Sequence, residues 1–199
     1  MKLKHALLLI VAILFIDQAS KIYIKTHFML NQDVPVFSWF KIYFIENEGA
    51  AWGAKIPGQY GKLILTLFRI VAVFGIGYWL VKSIRELRPK VLIVAISLIF
   101  AGALGNIIDS VFYGVLFDHS YGQVATLFSD QPYGTWLHGK VVDMLYFPLI
   151  DTKLPQWVPV WGGKQFRFFE PVFNIADTAI SVAVGILIIF NKKAFPKED

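Results

Sequence analysis

Val91-Leu-Ile-Val-Ala-Ile-Ser-Leu-Ile-Phe-Ala-Gly-Ala-Leu-Gly-Asn-Ile-Ile-Asp-Ser-Val111 reaches its first charge only at Asp109. About 20 apolar residues, each rising roughly 1.5 Å, match the ~30 Å hydrocarbon core of a bilayer, so the stretch predicts a membrane-spanning helix. The rest of the chain agrees. Of 199 residues, 56% are hydrophobic, 16% aromatic and only 17% charged, with a mean hydropathy of +0.58, too little polar surface to cover a soluble globule. Working outward, similar apolar runs occupy 5–24 and 63–81 before it and 173–190 after it. The expected fold is a mainly α membrane protein: four transmembrane helices in one integral domain, without internal repeats. The first run has some marks of a cleavable signal peptide, with Lys2 and Lys4 preceding it and small residues at Ala19-Ser20. Cleavage after Ala19, however, would set Asp17 where a small neutral residue is wanted, and apolar character resumes at Ile22. A retained helix fits better.

Lys2 and Lys4 precede the first run, Lys82, Arg85, Arg88 and Lys90 crowd the second connection, and Lys192, Lys193 and Lys197 follow the last run. The positive-inside rule places all three regions in the cytoplasm, with both termini inside. The net charge of +5 forms no continuous basic stripe, which argues against nucleic acid and for anionic lipid headgroups. The outward connections, 25–62 and 112–172, run to about 38 and about 61 residues, lengths that are usually functional or disordered. Their aromatic content argues against disorder. Val34 to Ile45 is rich in β-branched and aromatic residues without helical spacing, so a small β-sheet is expected there. The longer connection carries turn signals at Gln131-Pro-Tyr-Gly134 and Val160-Trp-Gly-Gly163, with Trp136, Trp157 and Trp161 suited to the membrane interface.

Ionisable groups in this apolar setting are functional candidates, because each costs roughly 2.5 to 3.5 kcal/mol at a helix centre on insertion scales. Counted from the inner-face lysines, Asp17, Asp109 and Asp177 rise roughly 20, 28 and 22 Å, to the outer third of the bilayer or its surface. Arg69 falls at a similar depth and either pairs with one of these acids or snorkels outward. Asp143 sits in Gly139-Lys-Val-Val-Asp143-Met. Absence of cysteine excludes disulfides and thiolate chemistry. His5, His27, His119 and His138 lack ligand spacing, so neither a metal nor another cofactor is expected.

Asp17-Gln-Ala-Ser-Lys21, Asn47-Glu-Gly-Ala-Ala-Trp-Gly53, Gly105-Asn-Ile-Ile-Asp109, Val141-Val-Asp143 and Phe173-Asn-Ile-Ala-Asp177 occur in the order found in the lipoprotein signal peptidase (signal peptidase II) family, which this chain resembles over nearly its whole length. The resemblance implies a multi-pass bacterial inner-membrane aspartic endopeptidase, with its active site near the periplasmic face and the sheet and long loops in the periplasm. Its substrate would be a prolipoprotein, cut just before the diacylglyceryl-modified cysteine, and its other partners would be membrane lipids, the protein acting as a monomer. Asp143 and Asp177 match the catalytic pair. Two carboxylates close enough to share a proton cannot easily both ionise, so such a pair holds one acid and one base near neutral pH.

The remaining motif residues read as site support: Asp17, Lys21, Asn47, Gly49, Gly105, Asn106, Asp109 and Asn174. Asn47, Asn106 and Asn174 have amides suited to orienting carboxylates or substrate backbone, though turn or cap chemistry also explains them, Asn174 as the N-cap of the last helix above all. Asp17 and Lys21 are spaced for an intrahelical ion pair. Gly49, Gly102 and Gly105 permit close backbone approach, and plain packing suffices for Gly102. Trp52 either covers bound peptide or anchors at the interface. The family pattern usually has an arginine where Ser110 stands, for which Arg69 or Arg167 is a candidate substitute. Both intervals flanking Asp143 are longer than usual, and Asp118, Asp130, Asp151 and Glu170 within them read as solvated loop charges. A small proton-coupled transporter and a non-catalytic lipoprotein-binding protein are the alternatives. The transporter is disfavoured because the acids gather at one surface rather than at the midplane.

Overall fold

The computed structural model describes residues 1–48, 57, 58 and 60–196. Helix α1 spans Leu3–His27, α2 Gly61–Arg85 and α3 Lys90–Ile108; a π-helical turn, Asp109–Tyr113, and the single turn α4, Gly114–Leu116, prolong α3. Charge does not stop these helices where hydropathy falls. Helix α1 runs past the expected Ile24 because Lys25 is buried against Glu46 rather than solvated. Among the described residues, three helical stretches, of 25, 25 and 27 residues, are long and apolar enough to cross a membrane. The expected fourth span is shorter: α5 is Ile175–Ile189, 15 residues, followed by the short α6, Asn191–Ala194. Phe173, expected to open that helix, instead ends a strand, and Asn174 resets the backbone as an N-cap.

Helix α3 is the hub, packed against α1, α2 and α5. Small residues allow the closest of these approaches. A Cβ on Gly102 would lie 2.3 Å from the carbonyl oxygen of Ala176, and Ala95, Ala179 and Ala183 continue the seam between α3 and α5. Apolar helices in lipid gain little by hiding from it, so close packing of small residues is what holds them together. Gly102→Ala is therefore expected to destabilise the fold by about 1–3 kcal/mol, read as a lower melting temperature in detergent. An unchanged melt would show that α5 can move aside. By contrast α2 turns most of its surface outward, with Phe68, Val71, Phe74 and Tyr78 at least 70% exposed. Between α1, α2 and α3 lies an apolar groove of about 950 Å³ lined by Leu7, Ile10, Val73, Phe74, Phe100 and Leu104.

Above the helices sits an antiparallel sheet of order β1-β2-β3-β6, formed by Asp33–Phe37, Phe40–Asn47, Val141–Tyr146 and Val172–Phe173. The first two strands are those expected between residues 34 and 45. The other two come from the long second connection, where no strand was expected. That connection also makes a separate hairpin, β4 (Ile150–Lys153) with β5 (Gln165–Phe168), whose tip exposes Trp157, Val160 and Trp161. Trp136 is likewise exposed. The segment before β3 is laced onto the end of α3: Leu137 N donates to Val111 O, and Gly139 N to Ser110 O at 2.9 Å. Gly139 is needed there, since a Cβ would fall 2.0 Å from Asp109 O.

Candidate active site

The site forms where the C-terminal end of α3, the first turn of α5 and strands β2 and β3 meet. In the β2–β3 register Ile45 faces Asp143 and Asn47 faces Val141, which brings the Asn47 amide to Asp143. Asn47 Nδ2 donates to Asp143 Oδ2, and Asn174 Nδ2 donates to Oδ1 at 2.7 Å. Asp177 is held from two sides. Asn106 Nδ2 donates to its Oδ1 at 2.8 Å, and the backbone N–H of Asn174 donates to its Oδ2 at 3.4 Å.

Both readings of Asn174 hold. Its Oδ1 accepts from Asp177 N at 2.9 Å, completing a capping box in which Asp177 is the reciprocal acceptor. Its Nδ2 meanwhile reaches Asp143, Val142 O and Asn106 Oδ1. One side chain thus ends a strand, starts a helix and links the two acids. Asp143 is 2% exposed, whereas Asp177 is half-buried. Burial first, then the negative charge of Asp177, push the Asp143 carboxyl up to about 8.

Beneath this pair lies a buried charge cluster. Lys21 Nζ sits 2.9 Å from both Asp17 Oδ2 and Asp109 Oδ2, and donates to Asn106 Oδ1 at 2.9 Å. The Asp17–Lys21 pair is intrahelical, as its spacing allowed, yet both side chains are almost wholly buried and Asp109 shares the lysine. The acids also fasten backbone. Asp17 Oδ1 accepts from Ala176 N at 2.9 Å, at the start of α5, and Asp109 Oδ2 accepts from Val142 N at 3.2 Å, next to Asp143. Gly105 leaves room for this, because a Cβ there would meet Asp17 Oδ2 at 2.7 Å.

Of the ten expected site residues, nine lie in this region, and Gly49 falls outside the described residues, as does Trp52. Gln18 was missed. Its Nε2 donates to Asp17 Oδ2, Asp109 Oδ1 and Gly105 O, and its Oε1 accepts from Tyr113. Its place inside Asp17-Gln-Ala-Ser-Lys21 was the available signal. Ser120 and Lys25 were missed as well: Lys25 donates to Glu46 and Ser120 and lies over the rings of Phe44, Phe117 and Tyr133. That cluster fastens the C-terminal end of α1 to the sheet. Asp130 and Glu170 are exposed as expected, and Asp118 accepts from Thr126 N. Among the described residues, no group of three or more His, Cys, Asp or Glu side chains is placed to hold a metal ion.

Sequence and structure comparisons agree with this arrangement. The profile of the family described as signal peptidase (SPase) II matches residues 9–192. The lipoprotein signal peptidase of Porphyromonas gingivalis is 49% identical over 183 residues, covering 91% of this chain and 80% of the relative. The lipoprotein signal peptidase of Amoebophilus asiaticus is 36% identical over 186 residues, covering 90% of this chain and 73% of the relative. A bacterial membrane enzyme solved by the in meso method superposes with a TM-score of 0.63 at 25% identity, covering 99% of this chain and 95% of that one. Matched along nearly its whole length in sequence and fold, the chain belongs to the signal peptidase II family.

Proposed function

We propose that the protein is an aspartic endopeptidase of the bacterial inner membrane that removes the signal peptide of diacylglyceryl-modified prolipoproteins, with Asp143 and Asp177 as the catalytic pair. The observation that carries this reading is the continuous amide network, Asn47 to Asp143 to Asn174 to Asn106 to Asp177, whose side-chain amides donate to both carboxylates and link one to the other. No cation among the described residues comes within ion-pair distance of either acid. Asp143, deeply buried and pushed up to about 8, starts as the proton donor, and the less buried Asp177 as the base. Asp177 takes a proton from water, the hydroxide attacks the scissile carbonyl, and Asp143 stabilises the developing oxyanion and supplies the proton for the leaving amine.

The topology belongs to the same reading: four crossings, α5 being the short one, with both termini cytoplasmic and the sheet on the periplasmic side. Acyl chains of the substrate then stay in the bilayer while the peptide bond beside the lipidated cysteine reaches the outer ends of α3 and α5, so the membrane pre-orients the reactants. The apolar groove between α1, α2 and α3 supports contact with lipid. The acids gather at one end of the bundle, which favours hydrolysis over transport.

The test supplies purified protein with a lipidated prolipoprotein and weighs the products. The expected product begins at the modified cysteine, and substrate lacking the diacylglyceryl group is cut far more slowly. Proton flux into vesicles that depends on Asp177, without cleavage, would put a transporter in its place. The pH dependence has a definite sign: Asp143 must be protonated, so kcat/KM is expected to fall as pH rises through about 8. A rate that stays level from pH 7 to about 10 would remove Asp143 from the acid role.

A further inference from the structure

Helix α2 carries a guanidinium into the buried half of the site. A cation in a membrane helix is functional by default, and among the described residues Arg69 neither pairs with an acid nor simply snorkels. It is half-buried, makes no ion pair among the described residues, and its Nη1 donates to Ser110 Oγ at 3.5 Å. Ser110 is itself fixed, fully buried and donating to Asn106 O at 3.1 Å. The guanidinium is therefore hung beside Asn106, whose amide holds Asp177. The acids within its electrostatic reach are Asp177 foremost, then Asp109 and Asp143.

Among the described residues, the neighbouring lysines are already engaged. Lys21 is shared by Asp17 and Asp109. Lys62, on α2 like Arg69, donates to Glu48 O, and Lys140 faces Glu46 across 3.6 Å. Among the described residues, Asp143 and Asp177 are two carboxylates served by neutral amides, and the α2 cation within their electrostatic reach that makes no ion pair is Arg69. We propose that Arg69 is a positioning residue for the catalytic pair: held on Ser110, its guanidinium is the fixed positive charge against which Asp143 and Asp177 share their proton. The proposal rests on the assignment of those two acids as the dyad.

A nearby cation favours ionised carboxylates, so its loss moves both limbs of the pH–rate profile upward, each limb belonging to the pair. Arg69→Gln is expected to shift the kcat/KM profile up by about 0.5–1 pH unit, with a lower maximum. Arg69→Lys keeps the charge and is expected to shift it by less than half as much. A side chain that only packed against Ser110 would lower the maximum and leave both limbs in place, and that result in Arg69→Gln overturns the proposal. If Arg69→Gln does not accumulate in membranes, Ser110→Ala loosens the guanidinium without removing it. A smaller shift in the same direction is then expected, and no shift overturns the proposal. Cleavage at the normal rate by Asp143→Asn or Asp177→Asn would instead overturn the dyad. Inert dyad variants beside an unshifted Arg69→Gln profile would overturn only the role of Arg69.

Discussion

Asp143→Asn and Asp177→Asn are each expected to lower kcat/KM toward a lipidated prolipoprotein by about 10³-fold or more, through kcat rather than KM, since general acid–base groups contribute on that order. An amide can neither take a proton from water, as proposed for Asp177, nor supply one to the leaving amine, as proposed for Asp143. The substitution is nearly isosteric, but it is not neutral for the network. Asp143 accepts from Asn47 on one oxygen and from Asn174 on the other. An amide at that position presents an N–H₂ to one of those donors, so some loss of stability is expected beside the loss of rate. Asp177→Asn meets the same difficulty more mildly, because its second partner, Asn174 N, is the longer contact at 3.4 Å. Melting temperature in detergent separates the two effects. A folded variant cleaving at the normal rate would end the aspartic-protease assignment for that residue.

Lys21→Met is expected to be the most damaging single change to the fold. It removes the cation that Asp17 and Asp109 share and leaves two buried carboxylates facing each other. Breaking a buried pair from one side typically costs about 3–5 kcal/mol, which for a chain of this size corresponds to a melting temperature lower by about 10 °C. The damage should reach the chemistry as well, because Asp17 fastens Ala176 N and Asp109 fastens Val142 N, each next to one of the two proposed catalytic acids. Pairing Lys21→Met with Asp109→Asn should restore part of the loss, as expected for residues in one network. A Lys21→Met melt within about 2 °C of wild type would mean that the cluster has little structural weight.

The long helices were legible because lipid imposes one simple rule on them, a sufficient run of apolar residues. Their ends were less so. Lys25 reads as the boundary of α1 in hydropathy terms, but three aromatic rings and Glu46 receive its charge inside the protein. The first two strands announced themselves by composition. Strand β3, by contrast, is short and buried over Val141–Met144, so it shows no polar–apolar alternation, and β6 is only two residues long. That Asp143, Asp177 and the asparagines around them come together was legible through ordered motifs. Which partner each residue takes was not, since Gln18, Ser110 and Gly139 matter through contacts with segments far away in the chain.

Asp143 and Asp177 are joined by a long excursion, but its two ends are stapled together where Leu145 pairs with Phe173 and Tyr146 with Val172. Everything between those staples, the β4–β5 hairpin included, hangs outside the geometry of the pair. Loop entropy grows only slowly with length, so lengthening, shortening or replacing the excursion is expected to change the surface around the hairpin without moving Asp143 and Asp177. The hairpin is thus a natural splice point. A reporter tag or a binding peptide grafted at its exposed tip, around Trp157 to Trp161, should ride on a working enzyme.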